Sequence, residues 1–288
     1  MNPRSSSPGC TIVNGMDNAP KLVMTSPDGA TAEIYLHGAH VSSWIPVNGS
    51  EKLFLSTQSA FGSNASIRGG IPIIFPQFSD SGPLPKHGFA RRLEWNHGLT
   101  QVSDQDVIAG LALADNPETL NIWPHPFQAN LLVTLSAHSL TVKLKIKNAG
   151  DSPFSFTVAM HTYLSVNDIK KVKINGLYKC PYIDTALNEP HLLIQTEKSL
   201  HINGEVDRIY PDSPSELTLV EGDSRLKVSS EGFSDAVIWN PWVDKSAKMS
   251  DMLPTDYLHM LCIEAAAIQN PITLNPQKNW TASQTLSE

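Results

Sequence analysis

A cationic segment between residues 68 and 91 carries the side chains best suited to chemistry. Arg68 opens the run Arg-Gly-Gly-Ile-Pro, and Lys86, His87 and Arg91 come after it, among prolines and apolar residues. Because proline lacks a backbone N–H and glycine is unfavourable in a helix, the segment is predicted to be a shaped loop. The planar guanidinium of arginine can donate two parallel hydrogen bonds to phosphate. The segment therefore predicts a pocket for a small phosphorylated ligand.

Each of these cations also has a plainer interpretation. Lys86, Arg92 and the two other arginines can be surface charges or members of ion pairs within the protein. Rigid, apolar, glycine-containing surroundings favour a binding role for Arg68 and Arg91. His87 follows a lysine, which disfavours its protonation, so it is predicted to be a neutral donor to an anionic or sugar oxygen. Its alternative is an exposed loop histidine.

Two residues far apart in the sequence are candidates for acid/base chemistry. His161 ends a predicted strand in which Phe156, Val158 and Met160 share one face, so the histidine lies on the opposite face. Glu264 follows an apolar run and precedes three alanines. A carboxylate in such surroundings can be a base whose pKa is raised in a cleft. The alternatives are a structural histidine beside the core and a strand-end carboxylate that accepts backbone hydrogen bonds.

Other polar and aromatic residues could bind a sugar. Asp207 can accept hydrogen bonds from substrate hydroxyls, or it can pair with Arg208 or cap a turn. Flat rings pack against the C–H faces of a pyranose, although core packing explains any single ring equally well. The candidate rings are Phe75, Phe78, Trp239 and Trp242.

Composition excludes several classes of function. The chain has 288 residues and a net charge of −7, which disfavours nonspecific binding to nucleic acid or to an anionic membrane. Its three cysteines show no zinc-type spacing and no disulfide framework. The N-terminus lacks the apolar core of a signal peptide, and no apolar run is long enough to span a bilayer. We therefore expect a cytoplasmic protein without nucleic-acid or membrane partners. Glycine-rich nucleotide motifs, HExxH and GxSxG are also absent.

Short alternating patterns predict an all-β fold. Leu140–Lys147 places apolar residues on one face and Thr and Lys on the other, as expected for a half-solvated antiparallel strand. Residues 30–36 and 40–45 resemble a hairpin around Gly38. The other predicted strands are 130–137, 153–161, 171–174, 216–220, 225–229, 236–239 and 258–264.

Helical periodicity is scarce in the sequence. Short helices are predicted near 56–60, 117–120 and 244–249. Many short strands with few helices predict a large antiparallel β-sandwich, with loops at one rim forming a cleft. We expect a flexible tail over residues 1–15 and a single domain over 16–288.

A series of short motifs gives the sequence a family resemblance. Arg68-Gly-Gly-Ile-Pro, Phe75-Pro, His87-Gly-Phe-Ala-Arg, His161-Thr-Tyr, Trp239-Asn-Pro-Trp and Cys262-Ile-Glu occur in this order. Together they resemble the hexose-6-phosphate mutarotases (glucose-6-phosphate 1-epimerases), within the wider aldose 1-epimerase group. The resemblance extends from about residue 20 to the C-terminus.

The resemblance implies a fold, an activity and roles for individual residues. The implied fold is the galactose mutarotase-like β-supersandwich, with an active site that uses no metal or other cofactor. Independently of the resemblance, we expect a monomer. His161 matches the family's catalytic histidine and Glu264 its catalytic carboxylate. Implied substrate-binding residues are Arg68, His87, Arg91 and Asp207, and we add Lys86. Lys86 departs from the expected glutamine or small residue, and Ala265-Ala266 replaces the Pro-Gly of some members.

The implied activity exchanges the α and β anomers of a hexose 6-phosphate, most simply glucose 6-phosphate. We expect Glu264 to remove the proton of the C1 hydroxyl while a protonated His161 donates to the ring oxygen from the other side of the hemiacetal. Ring opening, rotation about C1–C2 and reclosure then exchange the anomers. The alternatives are an epimerase of unphosphorylated aldoses and a noncatalytic carbohydrate-binding β-sandwich.

Overall fold

The computed structural model of the protein describes residues 7–62 and 65–288. Within these ranges the strands, in chain order, are β1 Gly9–Asn14, β2 Pro20–Thr25, β3 Thr31–Tyr35, β4 His40–Ile45, β5 Ile73–Ile74, β6 Asn96–Val102, β7 Asp106–Ala114, β8 Phe127–Ser136, β9 Ser139–Asn148, β10 Phe154–Met160, β11 Tyr163–Ser165, β12 Val172–Asn175, β13 Pro181–Asp184, β14 Leu192–Ile194, β15 Ser199–His201, β16 Val206–Tyr210, β17 Glu216–Glu221, β18 Ser224–Glu231, β19 Asp235–Asn240, β20 Met260–Leu274 and β21 Asn279–Ser287. The α-helices are α1 Pro117–Ile122 and α2 Trp242–Ser246, and short 3-10 helices occupy Met16–Asn18, Ala90–Arg92, Ile169–Lys171 and Asp256–His259.

The strands form three sheets. The first has the order β1-β2-β3-β4, and the second is a 9-stranded sheet with the order β15-β12-β17-β18-β21-β9-β8-β7-β6. The third is an 8-stranded sheet with the order β14-β13-β16-β19-β20-β10-β5, in which β11 also pairs with β20. The pairings between these strands are antiparallel, as in β8 with β9 and β19 with β20. The predicted all-β, galactose mutarotase-like sandwich is confirmed.

The core lies where the faces of the sheets meet. Leu140, Val142, Leu144 and Ile146 of β9 are all buried, whereas the residues between them are partly or fully exposed, as the alternating pattern predicted. A continuous cluster of buried apolar side chains extends from Leu22 in the first sheet to Leu286 in the second and includes Leu261 and Ile263 of the third. Burial of these faces is the main force that holds the sheets together.

Most of the predicted elements are present with small changes at their ends. The hairpin around Gly38 is β3 and β4, which pair in antiparallel fashion. The predicted strand 258–264 begins later, at Met260, and continues to Leu274 as β20. Helices form at Pro117–Ile122 and Trp242–Ser246. The ends of these elements differ from the predicted ones because they depend on pairing with distant segments, which a local sequence pattern does not reveal.

Two of the local predictions are wrong. Residues 56–60 form a turn instead of a helix, because the Ser56 hydroxyl accepts from the backbone N–H of Gln58 and donates to the distant Asp256 carboxylate at 2.7 Å. The flexible tail is wrong for Gly9–Asn14, which pair along their whole length with β2. Residues 1–6 of the predicted tail lie outside the described residues. The single domain over 16–288 stays a prediction.

Among the described residues, no helix has the length and apolar character required to span a bilayer.

Candidate active site

One face of the 8-stranded sheet carries the polar residues of the candidate site. Asp207 of β16 lies opposite Trp239 of β19, which lies opposite Cys262 of β20. Two residues along, Val237 lies opposite Glu264. Because successive side chains of a strand alternate between faces, these residues project to the same side of the sheet. The other face packs into the core.

The strand register brings His161 and Glu264 together. Met160 lies opposite Ala265 and Tyr163 opposite Cys262, so the register on both sides places His161 opposite Glu264. Nδ1 of His161 lies 3.3 Å from Oε1 of Glu264, and both side chains are almost fully buried. They are therefore side by side, and not on opposite sides of a bound sugar as the sequence suggested.

The two side chains face a cavity of about 510 Å³. This volume is within the usual range for small-molecule sites and accommodates a hexose phosphate. The lining side chains are Arg68, Phe78, Ser79, Ser81, Lys86, His87, His161, Ile183, Thr185, Asp207, Ile209, Val237, Trp239, Lys245, Met249, Glu264, Ile268 and Gln269.

Burial shifts the pKa values of the central pair in opposite directions. The pKa of Glu264 is raised well above its usual value by burial and by the charge of Asp207, and Arg91 offsets only part of this effect. The pKa of His161 is lowered by burial and by the nearby His87, Arg68 and Arg91. Both shifts favour the uncharged forms, a protonated Glu264 carboxyl and a neutral His161 imidazole. Burial and the nearby cations thus oppose the protonated His161 that the sequence led us to expect.

Aromatic rings hold the imidazole of His161 in place. Tyr163 stacks on it with ring centroids 4.8 Å apart and an interplanar angle of 11°. Trp239 and His87 approach it edge-on at 5.8 Å and 5.6 Å. The backbone N–H of His161 donates to the carbonyl of Pro72 at 3.0 Å. These contacts restrict the ring to one orientation toward the cavity.

The cationic segment is positioned by its backbone. The carbonyl of Gly70 accepts from the N–H of Tyr163 at 2.8 Å, so residues 70–72 extend along the edge of the strand that carries His161. Gly70 and Gly88 both have positive φ, at 57° and 67°. A Cβ at Gly70 would contact the carbonyl oxygen of Val41, and one at Gly88 would contact that of Phe75. Glycine is thus required at both positions for the close approach of the backbone.

Arg68 reaches the cavity but is already partly engaged. Its Nε and Nη2 donate to the carboxylate of Asp251 at 3.0 Å and 2.8 Å, and its Nη1 donates to the Tyr163 hydroxyl at 2.7 Å. A guanidinium has five N–H donors, so donors remain for a ligand. The contacts with Asp251 and Tyr163 fix the plane of the guanidinium beside His161.

Arg91 lies next to the cavity and is not among its lining residues. Its Nη2 donates to the carbonyl of Lys86 at 3.3 Å, and its buried Nε has no hydrogen-bond partner within residues 7–62 and 65–288. Burial, with the charges of Arg92 and Arg68, lowers the pKa of Arg91 to about 10. Arg91 therefore remains charged at neutral pH. Lys86 lines the cavity from an exposed position and pairs with Asp80 at 3.2 Å.

His87 is held as a neutral donor, in agreement with the sequence-based expectation. Its Nδ1 accepts from the backbone N–H of Ser79 at 3.2 Å, which leaves the proton on Nε2. Burial and the charges of Arg91, Lys86 and Arg68 lower its pKa to about 3.

Asp207 lines the cavity together with a lysine that the sequence did not single out. Nζ of Lys245 lies 3.4 Å from the Asp207 carboxylate and 2.9 Å from that of Glu205. Burial raises the pKa of Asp207, and Lys245 counteracts the rise. The predicted pairing of Asp207 with Arg208 is absent among the described contacts, since Arg208 donates to Asp184 at 3.0 Å.

Asn240 positions the helix that carries Lys245. Its side-chain amide donates to the carbonyls of Tyr257 and Met260, both at 2.9 Å, and its side-chain oxygen accepts from the N–H of Trp242. The Trp239-Asn-Pro-Trp motif thus marks the start of α2. Lys245 had no predicted role in the site and was only placed within a short helix predicted near residues 244–249.

The four candidate rings have different positions. Phe78 and Trp239 line the cavity. Phe75 is fully buried in contact with Phe89, Trp123, Phe127 and Phe156, so its role is core packing. Trp242 packs on Tyr257 with ring centroids 5.2 Å apart. Phe75 and Trp242 are therefore wrong as platforms for the sugar.

Three side chains at the base of the site have the chemistry of metal ligands. Ligand atoms of His161, Cys262 and Glu264 all lie within 4.8 Å of one another, and all three residues are buried. Cys262 is a free thiol.

Known proteins resemble the chain over nearly its whole length. Residues 20–287 match the family described as Aldose 1-epimerase. The protein belongs to the aldose 1-epimerase family. A relative from Cenchrus ciliaris named "Putative glucose-6-phosphate 1-epimerase" is 37% identical, with 98% of this chain and 88% of the relative covered. A relative of the same name from Escherichia coli K12 is 31% identical, with 87% and 84% covered.

A solved structure supports the same family membership. The crystal structure described as "a putative mutarotase (YeaD) from Salmonella typhimurium" has a TM-score of 0.90 and 27% identity to this aldose 1-epimerase family member. The similarity covers 98% of this chain and 94% of that one. As a member of this family the protein is an isomerase.

Proposed function

We propose that the protein interconverts the α and β anomers of a hexose 6-phosphate, most simply glucose 6-phosphate. The observation that carries the proposal is the His161–Glu264 pair, 3.3 Å apart on the wall of a hexose-sized cavity that also contains Arg68 and Lys86. Both named relatives carry glucose-6-phosphate 1-epimerase in their names.

The adjacency of the pair suits the chemistry of ring opening. The C1 hydroxyl oxygen and the ring oxygen are bonded to the same carbon, so two adjacent side chains such as Glu264 and His161 can act on both. We assign Glu264 as the base that removes the hydroxyl proton and His161 as the acid that protonates the ring oxygen. The aldehyde then rotates about C1–C2, and the reverse transfers close the ring as the other anomer.

Substrate phosphate supports the proton arrangement that this mechanism needs. After burial, the groups that lower the pKa of His161 include Arg68 and Arg91. A phosphate dianion beside these guanidinium groups offsets their charge, which raises the pKa of His161 and favours transfer of the carboxyl proton of Glu264 to the imidazole. The phosphate thus anchors the substrate and prepares the acid/base pair in one event.

We assign Arg68, Lys86, His87, Arg91 and Asp207 to substrate binding. The two arginines and Lys86 supply charge for the phosphate, and the neutral His87 offers its Nε2 proton. Asp207 is placed to accept bonds from sugar hydroxyls, since it lines the cavity one strand beyond Val237 and Trp239. No metal or other cofactor is needed for the transfers assigned to these residues.

One observation favours a second candidate, an epimerase of unphosphorylated aldoses. Asp251 already neutralises Arg68 at 2.8 Å, which weakens the case for phosphate at this guanidinium. Because Arg91, Lys86 and His87 remain, we favour the phosphorylated substrate.

A coupled assay separates the two functions. Conversion of pure α-glucose 6-phosphate and of pure α-glucose is followed with catalytic amounts of protein, through a coupling enzyme selective for the β anomer. We expect faster equilibration of the phosphosugar without a change in the final anomer ratio, and a rise of about 10- to 100-fold in KM for Arg91→Ala. Equal kcat/KM values for the two sugars would exclude the phosphosugar specificity, and unchanged rates for both would exclude catalysis.

We further propose that the enzyme acts as a cytoplasmic monomer formed by a single domain over residues 16–288. The three free cysteines are compatible with a reducing compartment. Size-exclusion chromatography with light scattering tests the monomer.

A further inference from the structure

We propose that His161, Glu264 and Cys262 form a binding site for a borderline-soft divalent cation such as Zn²⁺, and that occupancy of this site blocks the acid/base pair. The metal would be an inhibitor and not a cofactor. The inhibition, though not the binding, rests on the proposed function of the pair.

The sheet register gathers the three ligand types. Cys262 and Glu264 are two residues apart on β20 and project to the same face, and His161 lies opposite Glu264 across the strand pair. The ligand atoms lie within 4.8 Å of one another. Zn²⁺ binds nitrogen or oxygen at about 2.0–2.2 Å and sulfur at about 2.3 Å, so ligands of a tetrahedral ion are roughly 3.3–3.8 Å apart. The three atoms therefore need to approach one another by no more than about 1.5 Å, a distance that side-chain rotations can supply.

The donor atoms are free to accept an ion. Nδ1 of His161 lies 3.3 Å from Oε1 of Glu264, and neither Nδ1 nor the buried Oε2 of Glu264 has a hydrogen-bond partner among the described residues. Buried polar atoms are usually hydrogen-bonded, so these two atoms can accept a further partner. The third donor, Cys262, is a free and fully buried thiol. An ion that enters through the cavity would satisfy all three and leave its fourth position to water.

The ligand set also selects the type of ion. A thiolate, an imidazole and a single carboxylate suit Zn²⁺ and similar ions, whereas Mg²⁺ and Ca²⁺ prefer sites made of oxygen. Arg68 and Arg91 lie close enough to His161 to lower its pKa and oppose any cation. Burial and the charge of Glu264 raise the pKa of the Cys262 thiol, so the ion must displace the thiol proton and the carboxyl proton of Glu264 to solvent. The thiolate and carboxylate that result then balance the two charges of the ion.

Occupancy has a direct consequence for the chemistry. The ion would take Nδ1 of His161 and a carboxylate oxygen of Glu264 and displace the proton of this pair to solvent, so no proton would remain there for transfer to the sugar. Chelation of the ion restores the pair, which makes the inhibition reversible.

Cobalt spectroscopy tests the site without reference to activity. Co²⁺ is added to the reduced full-length protein, to Cys262→Ser and to the matched control Cys180→Ser, and the thiolate-to-cobalt charge-transfer absorption is recorded. We expect the band in the wild type and in Cys180→Ser, its loss in Cys262→Ser, and its displacement by Zn²⁺. Absence of the band in the wild type, or its persistence in Cys262→Ser, overturns the proposal.

Calorimetry and kinetics complete the test. Zn²⁺ should bind Cys262→Ser and Glu264→Gln at least tenfold more weakly than the wild type, with circular dichroism confirming that both variants fold. In the anomer assay, Zn²⁺ should inhibit the wild type and Cys180→Ser, and a chelator should restore the rate. Wild-type Zn²⁺ affinity in both variants contradicts the site. A protein that binds cobalt through Cys262 but never exchanges anomers would instead refute the proposed function alone.

Discussion

Burial of the His161–Glu264 pair affects both the reactivity of the site and the stability of the fold. Glu264 is buried, its Oε2 has no hydrogen-bond partner in the part of the chain that the structure describes, and its pKa is raised because the ionised form is poorly solvated. The same desolvation makes the carboxylate a stronger base once it is ionised. Desolvation thus determines both the basicity of the Glu264 carboxylate and the free energy that its ionisation costs the folded protein. A substitution that removes the charge should change both quantities.

Glu264→Gln should therefore lower activity and raise stability. We expect kcat for anomer exchange to fall by roughly 10²- to 10⁴-fold, the usual range for loss of one acid/base group. A carboxyl whose folded pKa is raised stabilises the fold below the pKa of the unfolded chain and loses that contribution as pH rises through the folded value. The variant, which cannot ionise, should exceed the wild type in free energy of unfolding by a margin that grows toward neutral pH.

Urea unfolding from pH 4 to 8 and the coupled assay measure these two effects. Glu231→Gln, at an exposed position, serves as the control and should change neither quantity. A Glu264→Gln protein with wild-type kcat would remove the carboxylate from the mechanism.

Lys245 affects the same carboxyl group through Asp207. Asp207 raises the pKa of Glu264, and Lys245 lies 3.4 Å from the Asp207 carboxylate. Loss of the lysine charge leaves the field of Asp207 uncompensated. Lys245→Met should therefore shift the acidic limb of the pH profile of kcat/KM upward by about half a pH unit. The exposed Lys248→Met is the control from the same segment, and an unshifted limb for Lys245→Met would contradict the coupling.

At the scale of elements, the site depends on irregular backbone placed against regular strands. Residues 70–72 hydrogen-bond to His161 and Tyr163 through their carbonyls, and Phe75 forms a bridge with Gly88. The cationic side chains are thus attached to the strand that carries the histidine. Disturbing this backbone should move the cations without touching the acid/base pair.

Gly88→Ala tests this coupling between loop and site. A Cβ at Gly88 would collide with the Phe75 carbonyl, and the positive φ of 67° adds strain. We expect a loss of about 1–3 kcal/mol in the free energy of unfolding and a KM for phosphosugar that rises more than kcat falls. Gly98→Ala, where an added Cβ meets nothing within 4 Å, is the matched control. Equal behaviour of the two variants would contradict the role of the Gly88 turn.

The sequence predicted those elements whose two faces differ in environment. Strand β9 was predicted almost to the residue because its apolar side chains face the core and its lysines face solvent. Strand β1 was missed because most of its residues are exposed, so it has no alternating apolar pattern, and its stability comes from pairing with β2. Motif order identified His161 and Glu264, but their separation, the pairing of Arg68 with Asp251 and the position of Lys245 depend on contacts between distant segments.

At the scale of the whole molecule, the fold keeps several histidines neutral inside a cationic region. His40 and His87 have pKa values lowered to about 3, in both cases mainly by burial. His161 is shifted in the same direction. The unfolded chain takes up protons at these histidines near pH 6.5, whereas the folded protein resists protonation. A fall in pH should therefore destabilise the native state through these buried histidines.

The sign of this linkage predicts acid sensitivity. A base with a lowered folded pKa stabilises the fold above the unfolded pKa, and this contribution is lost as pH falls from about 6.5 toward 3. Each fully buried neutral histidine adds a slope of up to about 1.4 kcal/mol per pH unit in that window. The raised pKa of Glu264 acts in the opposite direction and offsets part of the slope.

His40→Asn isolates one of these contributions away from the cavity. His40 is 1% exposed and does not line the cavity, so the variant should retain the acid/base pair while flattening the pH dependence of the free energy of unfolding between pH 6.5 and 4. The slope, and not the absolute stability, is the quantity compared, because Asn also changes packing beside Gly70. His138→Asn, at an exposed position, should keep the wild-type slope. An unaltered slope for His40→Asn would show that His40 already carries a proton in the folded protein, and that the buried cationic region does not control acid unfolding.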